Sequence, residues 1–362
     1  MEKHPKLVRI AGALAICALG GAVCAWIHTP LPWMIGSMFA MAAAQMAGAH
    51  LVPLPGGRDA GMAVVGTSLG LYFTAPVVHE VSTFWPWFVA LGFAAIAFGA
   101  VSGWILQKLS HTDGATAFFG SMPGGASEMA MMGEKYGAAT DRVALAHSIR
   151  MLFVVTLFPI GITLGGFHAT EDYRPVVLAF EPVGLALLLA ITATSGWLAR
   201  RMELPTAYML GALIASIALT VSGISLSSVP TPVTNAAQVL LGCTLGARFD
   251  RDFISKAPRF IAAVVPSVLA MLAMAALVGW GISVGAGVYI GAGLLAAAPG
   301  GIAEMSITAK VLRIGVAFVT AAHVVRYLIV VIFTVPAYRL LGHAARRMRP
   351  AHPVKHPRED ED

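Results

Sequence analysis

Two short stretches of this sequence hold residues whose types and spacing could do chemistry. SMPGGASEM at 121–129 and AAPGGIAEM at 297–305 each place a glutamate, Glu128 or Glu304, three residues beyond a Pro-Gly-Gly triplet. Further along, His147 and Arg150, and again His323 and Arg326, stand three apart. Pro-Gly-Gly breaks a helix. The half-helix that starts after it has unpaired backbone N–H groups and the positive end of its dipole at the break. A carboxylate is favoured there. So is a bound anion, held by the backbone at Gly124, Gly125, Gly300 and Gly301. Glu128 and Glu304 therefore read as caps of the half-helices or as proton and charge-balancing sites. His147 and His323 read as packed histidines or as donors and proton relays. Arg150 and Arg326 read as ion pairs with the glutamates or as bidentate ligands for a carboxylate or other oxyanion.

The surrounding composition makes these groups conspicuous. Of 362 residues, 57% are apolar and 12% charged, against roughly 25% charged in an ordinary soluble domain. The mean hydropathy is +0.78. A soluble globule could not cover its surface with so few polar side chains, and a disordered chain is excluded by the same excess of apolar residues. Apolar runs continue from residue 7 to residue 341, so the chain is read as integral to a lipid bilayer. A central Arg or Glu there costs about 2.5–3.5 kcal/mol on insertion scales. The four such groups must be paired or hydrated, and Glu–Arg pairing with His nearby is the economical arrangement.

The two stretches belong to a duplication. An offset of 176 carries Pro123 onto Pro299, Glu128 onto Glu304, His147 onto His323, Arg150 onto Arg326, Gly66 onto Gly242 and Gly70 onto Gly246. Nearer the start of each half the offset is 175, with Pro30, Met34 and Gly36 matching Pro205, Met209 and Gly211. The organisation expected is a first membrane repeat at 1–170, a second at 171–342 and a charged tail at 343–362. Matched positions Val143, Ala146, His147, Arg150 and Val154 form one stripe of a helix, which should face the Pro-Gly-Gly segment. GTSLG at 66–70 and GCTLG at 242–246 keep a small-xxx-small spacing. It signals close helix packing, or helices that unwind and let Thr67, Ser68 and Thr244 line a site. Glu134, Lys135, Asp141 and Arg142 are expected at the cytoplasmic mouth.

Spans of about 17–25 residues are expected at 7–27, 31–49, 60–78, 84–107 and 141–167, and at 179–199, 205–222, 233–249, 258–280 and 315–341. The sixth segments, 112–136 and 288–313, are the interrupted ones. Loop charge decides whether these cross. If they enter and return, Arg200, Arg201, Arg248, Arg251, Lys256 and Arg259 all face the cytoplasm. The opposite loops at 28–30, 79–83, 223–231 and 281–286 then hold no Lys or Arg, and only Arg174 lies outside. The positive-inside rule therefore favours an all-α integral membrane protein of two inverted-topology repeats. Each repeat has about five spans and one Pro-Gly-Gly-interrupted re-entrant segment. Both termini, with Lys3, Lys6 and Arg9 at one end and Arg346, Arg347, Arg349, Lys355 and Arg358 at the other, are then cytoplasmic.

Inverted repeats with interrupted segments are the plan of many secondary transporters. The first expectation is a carrier of a small anionic, carboxylate-type solute, not an enzyme, with no cofactor and no metal. The second is a membrane-embedded sensor or regulator that works through a protein partner and moves nothing. The third is a metal-dependent oxidase. Two His and two Glu could hold a metal, but their spacing is no known ligand motif and Arg beside a cation is unfavourable. The basic excess of +6 is spread over loops and ends, so no nucleic-acid module is indicated. The sequence is compatible with a homo-oligomer. Cys17, Cys24 and Cys243 lie in apolar runs with no disulfide or metal spacing. The apolar segment at 7–27 is expected to be a retained helix.

The duplicated PGGxxEM followed by an HxxR helix resembles the AbrB-type bacterial inner-membrane proteins, a family also labelled as ammonia monooxygenases. The resemblance covers roughly residues 10–341. It implies the duplicated membrane fold and a place in a bacterial inner membrane. The family's members are described as regulators or as uncharacterised membrane proteins.

Overall fold

A computed structural model describes residues 6–167, 179–249 and 257–347. Lys3, Arg174, Arg251, Lys256 and the tail from 348 to 362 lie outside the described residues. Every regular element among the described residues is a helix. The first half contains α1 (Lys6–Trp26), α2 (Pro32–Met46), α3 (Gly57–Gly70), α4 (Ala75–Thr83), α5 (Trp85–Ser110), α6 (Gly114–Ser121), α7 (Ala126–Glu134) and α8 (Thr140–Leu164). The second contains α9 (Pro182–Arg201), α10 (Ala207–Val221), α11 (Thr231–Gly246), α12 (Pro258–Ala286), α13 (Ile290–Ala297), α14 (Ile302–Leu312) and α15 (Val316–Arg347). Among the described residues the element order repeats with the sequence offset; most of the segment matched to α4, 251–259, lies outside them.

Six helices (α1, α5, α8, α9, α12 and α15) are long and apolar enough to cross a bilayer. The other four expected spans are shorter. Helices α2, α3, α10 and α11 have 14 to 16 residues, about 21–24 Å at 1.5 Å per residue. The segment 60–78 is not one helix. It stops at Gly70 and turns by 92° into α4, where Pro76 takes an early helical position that its missing N–H suits.

The short helices pack in reciprocal pairs, α2 on α11 and α3 on α10. A Cβ on Gly66 would stand 2.5 Å from the Met209 carbonyl oxygen, and one on the matched Gly242 would meet the Met34 carbonyl oxygen and lie 2.9 Å from the Ser37 Cβ. GTSLG and GCTLG thus serve close packing within unbroken helices, and neither unwinds. Gly66→Ala and Gly242→Ala are each expected to lower stability by about 1–3 kcal/mol, because backbone on the far side cannot step back. Gly161→Ala meets nothing within 4 Å and is the control. Thermal unfolding in detergent compares the three, and equal midpoints would refute the packing account.

Matched helices also meet each other, running antiparallel. Along α5 and α12, Trp87 lies against Gly285, and the Ser102 hydroxyl donates to the Ser267 carbonyl at 2.9 Å. Along α3 and α11, Gly57 lies against Leu240 and Gly61 against Ala237.

Each interrupted segment is a hairpin. The Ala139 N–H, just before α8, donates to the Thr116 hydroxyl in the first turn of α6 at 2.8 Å. Near the end of α7, Gly133 packs against Phe119 of α6 and Ala138. Both arms therefore return to the end where α8 begins. The second copy does the same, with Gly291 of α13 against Ile314 just before α15.

Candidate functional site

Arg150 lies ten residues into α8, and Arg326 ten residues into α15. That is about 15 Å from each helix start, half of a hydrocarbon core of about 30 Å. At this depth each guanidinium holds the tip of its own hairpin. Arg150 Nη1 donates to the Met122 carbonyl at 2.6 Å and Nη2 to the Gly124 carbonyl at 3.2 Å. Arg326 repeats the pattern, Nη1 to Ala298 and Nη2 to Gly300 at 2.5 Å. The two carbonyls flank the proline of the break. A broken helix leaves such carbonyls without partners, and a membrane interior offers no water to satisfy them. A planar fork of donors fits both at once. The expected Glu–Arg pairing is thus replaced by Arg–backbone pairing, because the break creates nearer acceptors than the glutamates.

The glutamates instead fold back over their own breaks. A Cβ added to Gly125 would overlap the Glu128 carboxylate, and one added to Gly301 would overlap that of Glu304. The second glycine of each triplet is therefore the space the carboxylate occupies. Glu304 is buried and Glu128 half-buried.

The two hairpin tips line one cavity of about 130 Å³, together with Glu128, Glu304, His147, Arg150, Arg326 and Thr244. One water needs about 10–15 Å³ on this measure, so a small solute fits. Gly124, Gly125, Gly300 and Gly301 are in the wall. Polar atoms of its lining are left without partners: His147 Nε2, the Nε of both arginines, Thr206 Oγ1 and Tyr327 Oη.

Some expected residues lie elsewhere. His323 is fully buried, bonded through Nε2 to the Leu295 carbonyl at 2.9 Å, and is not in the lining. His147 uses Nδ1 toward the Val143 carbonyl and keeps Nε2 at the cavity. Thr67 and Ser68 do not line it either. The Thr67 hydroxyl pairs with Thr192 and with the Ala63 carbonyl, and Ser68 bonds to the Val65 carbonyl, because α3 stays wound and turns these hydroxyls into helix packing. No group of three or more His, Cys, Asp or Glu able to hold a metal occurs among the described residues.

The structure adds two cations that residue spacing did not single out as site groups. Arg58, at the start of α3, and Arg248, just past α11, line the same cavity. Neither has a charged match in the other copy, since the offset places Thr234 and Tyr72 there. Duplicated residues were a usable signal, and these two lack it. With them the lining holds four arginines against two glutamates.

A family model described as Transition state regulatory protein AbrB matches residues 33–342. The chain belongs to the AbrB family. Among its relatives is the Bacillus subtilis (strain 168) protein named "Uncharacterized protein YhjN". It is 27% identical over 370 residues, covering 95% of this chain and 96% of that one. The Escherichia coli (strain K12) protein named "Putative regulator AbrB" is 26% identical over 313 residues, covering 86% and 90%. The match to the family takes in both hairpins, both HxxR helices and all four arginines of the cavity.

Proposed function

We propose that this protein is a secondary transporter of a small anionic solute of the carboxylate class. The observation that carries this reading is the single mid-depth cavity walled by both hairpin tips, with four arginines and two glutamates in its lining. The excess of positive charge suits an anion. Arg58 and Arg248 make no hydrogen bond or ion pair to the described residues, which leaves their forks for an oxyanion. Arg150 and Arg326 supply charge while their Nη groups hold the tips. Glu128, Glu304 and His147 are the groups suited to carry a coupling proton. The reading is of a carrier that makes no bond, needs no cofactor and sits in a bacterial inner membrane.

The same reading takes the repeats as inverted. Each hairpin returns to its starting end, so a repeat has an odd number of crossings, and the matched pairs α3–α11 and α5–α12 run antiparallel. Both facts favour inversion, with both termini cytoplasmic.

The test is thermal stabilisation of the purified protein by a panel of small mono- and dicarboxylates at acidic and neutral pH, followed by uptake into proteoliposomes. A ligand at 100 times its dissociation constant adds about 2.7 kcal/mol. A carboxylate that stabilises the wild type, is taken up, and loses both effects in Arg58→Ala is the expected result. Stabilisation with no uptake would favour the second reading, a ligand-binding membrane regulator. The name of the Escherichia coli relative is the observation on its side. Removing residues 348–362 would then abolish a partner's response, whereas transport would survive that deletion.

A further inference from the structure

The two copies match in sequence pattern but not in every contact, and the hairpins show the difference. Helix α14 packs on α3, and its face Ala303, Ile307 and Lys310 is turned inward. Ile307 is fully buried, and Lys310 Nζ sits 5.8 Å from the Tyr72 ring centroid. The matched face of α7 is Ser127, Met131 and Glu134, and all three are exposed, Met131 at 62%. Ser127 and Glu128 share the cavity lining with Thr244, Leu245 and Arg248 of α11 and its end. Some matched contacts are present in both copies. The Phe84–Phe318 ring pair, at 5.3 Å, has its counterpart in Arg142 over the Phe260 ring at 5.9 Å. One hairpin is docked on its short helix and the other stands away from it.

The offset of 176 carries Glu134 onto Lys310 and Tyr72 onto Arg248. The counterpart of the Lys310–Tyr72 contact is thus a pair of opposite charges, Glu134 and Arg248. We propose that the protein has a second conformation in which α7 docks on α11 and a Glu134–Arg248 ion pair closes the cavity mouth, while α14 releases α3 and the Lys310–Tyr72 contact opens. The purpose of the exchange, alternating access to one site, rests on the transporter reading; the exchange itself rests on the two unequal contacts. It also gives Arg248 its role. It is a solute-facing cation in the open state and the latch of the closed one. A residue with that second duty has no reason to recur as arginine at position 72.

Cross-linking in native membranes tests it, in a background with Cys17, Cys24 and Cys243 replaced by serine. The pairs Tyr72→Cys with Lys310→Cys, and Glu134→Cys with Arg248→Cys, are treated with a short bifunctional thiol reagent. Both are expected to join, and joining the first is expected to suppress joining of the second when all four cysteines are present. Failure of 134–248 to join where 72–310 joins would overturn the proposal. A second measurement covers loss of folding in those variants. Ser127→Cys should react with an impermeant maleimide several-fold faster when Glu134→Lys is added, and return to the starting rate with Arg248→Glu as well. No change on adding Glu134→Lys would overturn the proposal equally. Exchange of cross-links without solute flux in liposomes would sink the transporter reading and leave the two conformations standing. Flux without the 134–248 cross-link would do the reverse.

Discussion

Replacing Arg326 by Ala is expected to lower stability by about 3–6 kcal/mol, from two charge-assisted bonds of about 1.5–3 kcal/mol each. It should abolish solute binding with it. The guanidinium is 2% exposed and both Nη groups are engaged by the Ala298 and Gly300 carbonyls. Without it those carbonyls are stranded at mid-depth, and the tip that carries Glu304 loses its anchor. Arg326→Lys should recover little, because one ammonium cannot span two acceptors held apart by a proline. Arg150→Ala should follow the same course with a smaller loss, since its bond to Gly124 is the longer one at 3.2 Å. Thermal unfolding of the purified variants measures the stability, and the carboxylate screen measures the binding. A lysine variant as stable as the wild type would show that charge, and not the fork, is what the tip requires.

Gly301→Ala is expected to act on function far more than its size suggests. The new methyl would stand where the Glu304 carboxylate lies. Backbone on the other side is fixed by Arg326, so the carboxylate must leave. Overpacking costs about 1–3 kcal/mol, less than loss of the arginine. Solute affinity should fall about tenfold or more, equivalent to about 1.4 kcal/mol, and match Glu304→Gln. Gly125→Ala should do the same through Glu128, with a milder stability cost because that carboxylate is only half-buried. Uptake into proteoliposomes, compared among the three variants and the wild type, reads the effect. Wild-type uptake in Gly301→Ala would show that the carboxylate position is not used.

Much of this was legible in the residues. A constant offset exposes the duplication, and a proline followed by two glycines in an apolar segment has to interrupt a helix whatever surrounds it. Glutamate at the start of the returning half-helix and an HxxR stripe on the next helix could be placed on facing elements from periodicity alone. The partners of the arginines could not. A sequence shows that Arg150 and Glu128 are both costly in a bilayer and invites pairing them. It does not show that the break leaves backbone carbonyls closer to the guanidinium than any carboxylate. Thr67 and Ser68 were equally ambiguous. A small-xxx-small helix can pack tightly or unwind, and the choice is made by the helix set against it, here α10, through the Met209 carbonyl and Ser216.

What the sequence determined by itself is therefore the helical class, the membrane environment, the twofold plan and the groups too costly to be there by accident. Each follows from local chemistry: hydropathy, backbone donors and acceptors, and period. The tertiary structure decided the rest. It brought Arg58 and Arg248 to the cavity from unmatched positions and turned His323 away from it while leaving His147 at its edge. It also docked one hairpin and left the other free. Two copies with the same pattern predict the same contacts, so which hairpin docks on its short helix is settled by packing around one shared site and is not read from the duplicated motif.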